Sequence, residues 1–326
     1  MNASTHRIHV RLALIALATV ALIAWAPRSA EAQRPTKVTP SQRVEQVEQV
    51  ERAELRASLQ EPRVELAAPP AQTRPREFRW QQEELFYSVR VNDAEAMRAG
   101  LRTGEVRRHQ GRNYVPLSGT AQSRGFFHAV YPLHDRANTY LDPVTMRPLR
   151  TEKHFEERGQ SRVYNVDYRH PGFEARVERL REDRRLRFRA TIPDTTHDML
   201  TWLYELRGQG ELELGDTFEF YIYDGWLLSR LDVRVAARED ILTPLGWFHT
   251  YRLDFARHIM DAEHGGVDAE RGEVAPPSVS LRESSRHTGS LWLSRDANFI
   301  PVRVTINTPL GAGEAVLIHY KPGTGA

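Results

Sequence analysis

From about residue 80 onward, apolar and polar residues of this chain alternate with a period of two in one segment after another, and nothing else in the sequence constrains the fold as much. Between Arg162 and Tyr168, the side chains of Tyr164, Val166 and Tyr168 fall on one face and those of Asn165 and Asp167 on the other. Leu186, Phe188, Ala190 and Ile192 alternate with Arg187, Arg189 and Thr191. Leu231, Val233 and Val235 alternate with Arg230, Asp232 and Arg234, and Ile300, Val302, Val304 and Ile306 with Arg303, Thr305 and Asn307. A period of two is that of an extended strand. One apolar and one wet face per strand is the habit of antiparallel sheets, since parallel ones are covered on both sides.

The same reading predicts further strands at Leu85–Val91, Tyr114–Thr120, Leu149–Phe155, Phe173–Leu180, Thr217–Tyr223, Trp247–Phe255, Ser290–Ser294 and Glu314–Tyr320. One segment breaks the pattern. Asp198–Arg207 brings Met199, Trp202, Leu203 and Leu206 to one face at helical spacing, with Thr195 and Asp198 as a capping pair and Gly208 as the stop. The expected fold is therefore mainly β: a large bent antiparallel sheet, a half-barrel or open barrel, with one short packed α-helix. Phe218, Phe220 and Ile222 share one face of their strand while Tyr221 and Tyr223 take the other. Such a strand is either covered on both sides, with the helix around Trp202 as the cover, or it lines a groove.

The amino-terminal part reads differently. Arg7 and Arg11 precede a fifteen-residue apolar run from Leu12 to Ala26, which is followed by Ala30-Glu31-Ala32. This is the grammar of a secretory signal peptide cleaved after Ala32, and the run is shorter than the roughly 20 residues a membrane span needs. Residues 33–79 form a Pro-, Glu- and Gln-rich tether, disordered or partly helical, in which aromatic residues are missing until Phe78. A single β-rich domain is expected over 80–326, with a mobile Gly-, Glu- and Pro-rich insertion at 261–277. The chain contains no cysteine, so disulfides, thiolate metal sites, cysteine nucleophiles and the lipid anchor of a bacterial lipoprotein are not expected. These features place the protein in the envelope of a bacterium, most simply the periplasm.

Over all 326 residues the formal charge is +2, but without residues 1–32 the chain carries 42 basic and 42 acidic side chains. Nucleic-acid binders usually show a net basic field, so nucleic acid is not an expected partner. Only Lys37, Lys153 and Lys321 are lysines. An arginine-dominated surface reflects either codon bias or recognition of carboxylate or phosphate by planar guanidinium groups.

No catalytic or cofactor signature stands out. There is no Gly-x-Ser-x-Gly elbow and no phosphate-binding glycine loop. Ser118 and Ser123 have no sequence reason to meet a particular histidine, and His249, His258 and His264 lack metal-ligand spacing. The densest polar block is Tyr131-Pro132-Leu133-His134-Asp135-Arg136. A histidine beside an aspartate and an arginine can handle protons or hold an anion. Adjacent residues of an extended chain point to opposite faces, however, and that favours a structural corner.

The order of features from about Glu83 to Tyr320 resembles the bacterial domain-of-unknown-function family 3108 of exported proteins. The residues that carry the resemblance are Glu84-Leu85-Phe86-Tyr87-Ser88-Val89, the block Phe127 to Arg136 followed by Leu141-Asp142, and Leu149-Arg150. They continue with the helix ending in Tyr204-Glu205-Leu206-Arg207, then Thr243-Pro244-Leu245-Gly246-Trp247-Phe248, Leu291 to Asp296, and Ile300-Pro301-Val302-Arg303-Val304. The resemblance implies a periplasmic or surface domain made of a large bent sheet and supplies no catalytic residues. The expectation is a non-catalytic protein that binds an amphipathic, glycan-like or protein ligand in a groove near Tyr131, His134, Asp135, Arg136, Trp202 and Tyr204. Its partner would be an envelope lipid, a polysaccharide or another envelope protein, and no metal or cofactor is called for. The rival expectations are an envelope hydrolase or transferase using His134 and Asp135, and a periplasmic scaffolding or assembly factor.

Overall fold

In the computed structural model the described residues are 78–325, apart from 110, 158, 171, 173, 182–183, 262–279 and 309–310. The expected signal peptide, nearly all of the tether and most of the 261–277 insertion lie outside them. The strands are β1 (Glu84–Val91), β2 (Ala94–Thr103), β3 (Arg107–His109), β4 (Arg112–Ser123), β5 (Leu133–Leu141), β6 (Pro148–Glu157), β7 (Gln160–Arg169), β8 (Glu174–Arg181) and β9 (Arg184–Thr191). They continue with β10 (Thr217–Tyr223), β11 (Leu228–Thr243), β12 (Gly246–Asp261), β13 (Ser280–Ser294), β14 (Pro301–Thr308) and β15 (Gly311–Lys321). Two helices interrupt them, α1 (Gly125–Val130) and α2 (Thr201–Arg207).

All the strands belong to one sheet in the order β10-β11-β12-β13-β14-β15-β1-β2-β4-β5-β6-β7-β8-β9, with β3 paired to β4 off this path. Neighbours such as β1 with β15 and β11 with β12 run antiparallel. Register shifts in β1 and β11 add local bending. The sheet is curled so that its two ends meet. Val166, Tyr168, Val177 and Ile192 from one end pack with Tyr223, Leu228 and Met260 from the other. The Tyr168 hydroxyl donates to the Tyr223 carbonyl (2.9 Å). His197 makes a one-residue parallel bridge to Ile222, donating its N–H to Tyr221 and accepting from that of Tyr223. In the turn before β11, Gly225 has φ +86°, and a Cβ there would lie 2.8 Å from Val166, so the close approach of the two ends requires glycine.

The bent, mainly β architecture follows the expectation, and each expected strand segment overlaps an observed strand. Three strands were not legible. β2 reads AEAMRAGLRT, rich in good helix formers, and is extended because β1 and β4 pair with it on both sides. β3 is three residues long. β5 hides its period because two of its inward positions are polar, Asp135 and Thr139. Among the described residues α2 is the one packed helix, as expected, and α1 is an additional surface turn with no buried residue.

Helix α2 lies against the inner side of the sheet. Seven residues are too few to hold a helix in water, so its stability comes from packing and from its first turn. Asp198 Oδ1 accepts the N–H groups of Leu200 (3.0 Å) and Thr201 (2.8 Å), while Thr201 Oγ1 accepts the N–H of Asp198 (3.1 Å). The reciprocal capping pair is thus Asp198 with Thr201, where Thr195 with Asp198 was expected. Strand β10 is covered on both sides: Phe220 packs on Trp202 (ring centroids 6.0 Å apart), and Tyr223 is buried in the cluster on the other face. Phe78, the first described residue, is buried between Trp80 and Tyr204.

Candidate functional site

The sequence-predicted residues separate onto two sides of the sheet. Trp202 and Tyr204 are 1% and 0% exposed. Trp202 donates its indole N–H to the Met199 carbonyl (3.1 Å), and Tyr204 packs tilted against Phe78 and edge-on against Trp80. The groove expected beside them is filled by these side chains themselves, because the helix turns its large residues into the concavity. Asp135 points inward and is buried, whereas His134 and Arg136 on either side of it are exposed. Alternation along β5 therefore keeps His134 and Asp135 from acting on one group.

Around Asp135 a small acidic nest forms at the inner side of β5 to β7. Its Oδ1 accepts the N–H of Glu156 (3.1 Å), while Oδ2 is buried without a hydrogen-bond partner among the described residues. Burial, and next the nearby Glu157 carboxylate, push the Asp135 carboxyl up to about 8. Glu157 takes hydrogen bonds from Arg162 and from the Tyr131 hydroxyl (3.4 Å). Tyr131 and Asp135 thus belong to one inward-facing network.

His134 lines a shallow depression of about 400 Å³ with Gln122, His128, Pro132, Glu156 and Ser161. Two serine–histidine contacts occur here. Ser123 Oγ meets His128 Nδ1 (2.9 Å), a pairing the sequence did not suggest, but the same Oγ also accepts the N–H of Leu133 (3.0 Å) and so fixes the chain around α1. Ser161 Oγ meets His154 Nε2 (3.0 Å), and Glu156 lies 3.4 Å from that same nitrogen. A relay needs its carboxylate on the opposite ring nitrogen, so this is a surface polar cluster and not a triad. His249 pairs with Asp240 (2.7 Å) and His258 with Asp232 (3.2 Å), while His264 lies outside the described residues. Among the described residues no group of three or more His, Asp or Glu side chains is placed to hold a metal.

Buried polar groups whose pairing the sequence did not show anchor the helix. Glu83 and Arg207 form a bidentate pair (2.6 and 2.8 Å) with both side chains 0% exposed. Arg207 also donates to the Asn298 carbonyl (3.0 Å) and lies over the rings of Trp80 and Tyr204. Burial opposes its charge, but the Glu83 carboxylate outweighs burial and holds the guanidinium pKa above its ordinary value. At the other end of α2, Asp198 Oδ2 accepts the hydroxyls of Thr139 and Thr151. Lys153 is buried beside it, donating to the Asp224 carbonyl; burial pulls its pKa down, against the attraction of Asp224 and Asp198. Glu83 and Arg207 are 124 residues apart, and no local pattern links them.

The outer face of β7 to β9 is the opposite environment. Glu174 serves Arg176 (2.8 Å), Arg189 (3.7 Å) and Arg169 (3.9 Å), and Glu178 serves Arg187 (2.8 Å) and Arg185 (3.4 Å). Five solvent-facing arginines thus share two glutamates, and the Arg187 and Arg189 side chains are 70% exposed. Hydrogen bonds from Arg187 and Asn165 hold the Glu178 carboxyl below its usual range. Arg176 stands directly opposite Arg189 across the ladder, an arrangement of like charges that costs stability.

A curled antiparallel sheet with its inner side filled by one short helix and its outer side partly lined with arginine defines a barrel-like β protein. The chain belongs to the family described as a protein of unknown function, DUF3108, whose model matches residues 87–318. Among solved structures it is similar to a β-barrel-like protein of the domain of unknown function DUF1849 from Brucella abortus, with 9% identity over 76% of this chain and 99% of the other and a TM-score of 0.46. It is also similar to a "putative lipoprotein" from Parabacteroides distasonis, with 9% identity, 75% and 97% coverage and a TM-score of 0.30. A third is a "putative exported protein" with a YmcC-like fold from Bacteroides fragilis, with 7% identity, 75% and 98% coverage and a TM-score of 0.28. No curated protein matches the chain.

Proposed function

We propose that the protein is a non-catalytic, exported component of the bacterial envelope that binds an acidic polysaccharide on the outer face of β7 to β9. The carrying observation is that five arginines on this face share Glu174 and Glu178, with Asp167 opposite Arg176 as a further acid, in a chain whose charges balance overall after residue 32. Guanidinium groups fork onto carboxylates, and a row of them along a strand matches the repeat of a charged polymer better than the shape of a small ligand. Binding on the outside is also what a filled interior leaves available. The reading as a hydrolase using His134 and Asp135 loses its geometric support, because the two side chains lie on opposite faces of β5.

Calorimetric titration with polygalacturonate tests this reading. Binding should weaken steeply with salt, as screened surface charges do. The triple variant Arg185→Ser, Arg187→Ser, Arg189→Ser should lose about tenfold or more in affinity, from three exposed charge pairs of modest individual worth. Equal binding by the triple variant, or affinity indifferent to salt, would overturn it.

A further inference from the structure

The hairpin of β11 and β12 outruns its neighbours. β10 pairs with β11 only as far as Arg234, and β13 pairs with β12 only from Thr250. Beyond those limits the two strands form a hairpin ladder of their own up to Thr243 opposite Gly246. The arm leans on the rest of the sheet through buried Ile241 and through Glu239, which accepts the Trp292 indole N–H (2.8 Å), and leaves its tip exposed. Its turn is built stiffly. Thr243 Oγ1 accepts the N–H of Leu245 (3.1 Å) and donates to the Gly246 carbonyl (3.2 Å), Pro244 fixes one backbone angle, and Gly246 at φ +112° supplies a conformation that other residues adopt only under strain.

The arm ends in apolar side chains. Leu242 and Trp247 face each other across the ladder at 62% and 71% exposure, and Leu245 in the turn is 44% exposed. Of the nine large hydrophobic residues exposed among the described residues, three fall within these six positions, which is a cluster and not the usual scatter. Behind the tip, Leu242 and Pro244 border a cleft of about 470 Å³ whose far wall carries Val316 and Ile318 with three arginines, Arg90, Arg98 and Arg303, and two glutamates, Glu95 and Glu314, paired to Arg98 and Arg303. At the base of the arm, Arg238 and Arg295 lie over the ring of Tyr251.

We infer that this arm inserts its tip into the interfacial layer of a phospholipid bilayer, with the arginines behind it at the level of the phosphates. The apolar surface on offer is about 300–400 Å², well short of the roughly 800 Å² per partner that a stable protein interface requires. A bilayer has no such threshold, because it adapts to a convex tip and interfacial binding grows with the apolar area inserted. Tryptophan beside leucine, backed by arginine, suits the boundary between headgroups and acyl chains. This surface is separate from the arginine face of β7 to β9, and the two readings stand or fall independently.

The test uses protein purified from cells expressing the full chain, together with vesicles of phosphatidylethanolamine and phosphatidylglycerol whose acyl chains are brominated near the headgroup. The fluorescence contributed by Trp247, taken as the difference between wild type and Trp247→Phe, should be quenched severalfold on binding. Leu245→Asp should cut the vesicle-bound fraction at least tenfold while leaving the circular dichroism and the melting temperature unchanged. Phosphatidylcholine vesicles at high salt should still bind, because the arginine face is screened there and the tip is not. Absence of vesicle binding, an unquenched Trp247, or self-association that Leu245→Asp abolishes would each overturn the inference, the last by showing that the tip joins copies of the chain.

Discussion

Arginine meets glutamate both in the interior of this molecule and on its surface, and the Glu83–Arg207 pair and the cluster on β7 to β9 do different things. Glu83 and Arg207 are both 0% exposed, matched one to one, with both oxygens and both terminal nitrogens engaged. On the outer face of β7 to β9 the arginines outnumber their partners and stand in solvent. In the interior an unmatched charge is costly, so the pair is closed and fixes where α2 docks. At the surface, water screens the same chemistry; the pairs there contribute little to folding and remain available to an anion. The position of a charged group relative to the sheet, and not its type, decides whether it is tied into the fold or left in solvent.

The largest effect should come from opening the buried pair. Arg207→Met leaves Glu83 enclosed without its cation and should cost about 3–5 kcal/mol in urea denaturation, whereas adding Glu83→Gln to it should restore a substantial part of the loss. Next comes the pH dependence tied to Asp135. Its folded pKa of about 8 lies above the ordinary value of about 4. Between those values the folded chain retains a proton that the unfolded chain has released. Stability should therefore fall as pH rises through this window, by up to about 5 kcal/mol, and level off above it. Asp135→Asn should flatten that slope. His197, pulled by burial down to about 3, contributes the opposite trend as pH falls below its ordinary 6.5, so the comparison with Asp135→Asn is the informative one. A smaller loss is expected for Asp198→Ala, about 1–2 kcal/mol from the missing cap, more if Thr139 and Thr151 find no other acceptor. The smallest effect belongs to the outer arginines: Arg187→Ser and Arg189→Ser should each shift the urea midpoint by the equivalent of less than about 0.5 kcal/mol.

The two regions were also unequally legible in the sequence. Strands with a clean apolar face, such as β7 and β14, announced themselves, because burial of alternate residues is a local pattern. Helix α2 was legible for the same reason at a different spacing. The anchoring groups were not, since Glu83 meets Arg207, and Thr139 meets Asp198, only after the sheet has curled. Asp135 and Thr139 even concealed β5 by placing polar groups on its inner face. The block from Tyr131 to Arg136 looked dense in one dimension, but the pleat of the strand sends His134 and Arg136 outward and Asp135 inward. The arginines of β8 and β9 could be read as the wet side of strands; that they share two acids required the cross-strand register.

The inner side of the sheet is closed around α2, and the proposed binding of ligand therefore belongs to the outside. Hydrogen exchange by mass spectrometry, with and without polygalacturonate, tests it directly. Amides of α2 and β1 should exchange slowly and identically in both samples, while protection on adding the polymer should appear in β8 and β9. Rapid exchange in α2, or protection that appears there when the polymer is added, would contradict the account.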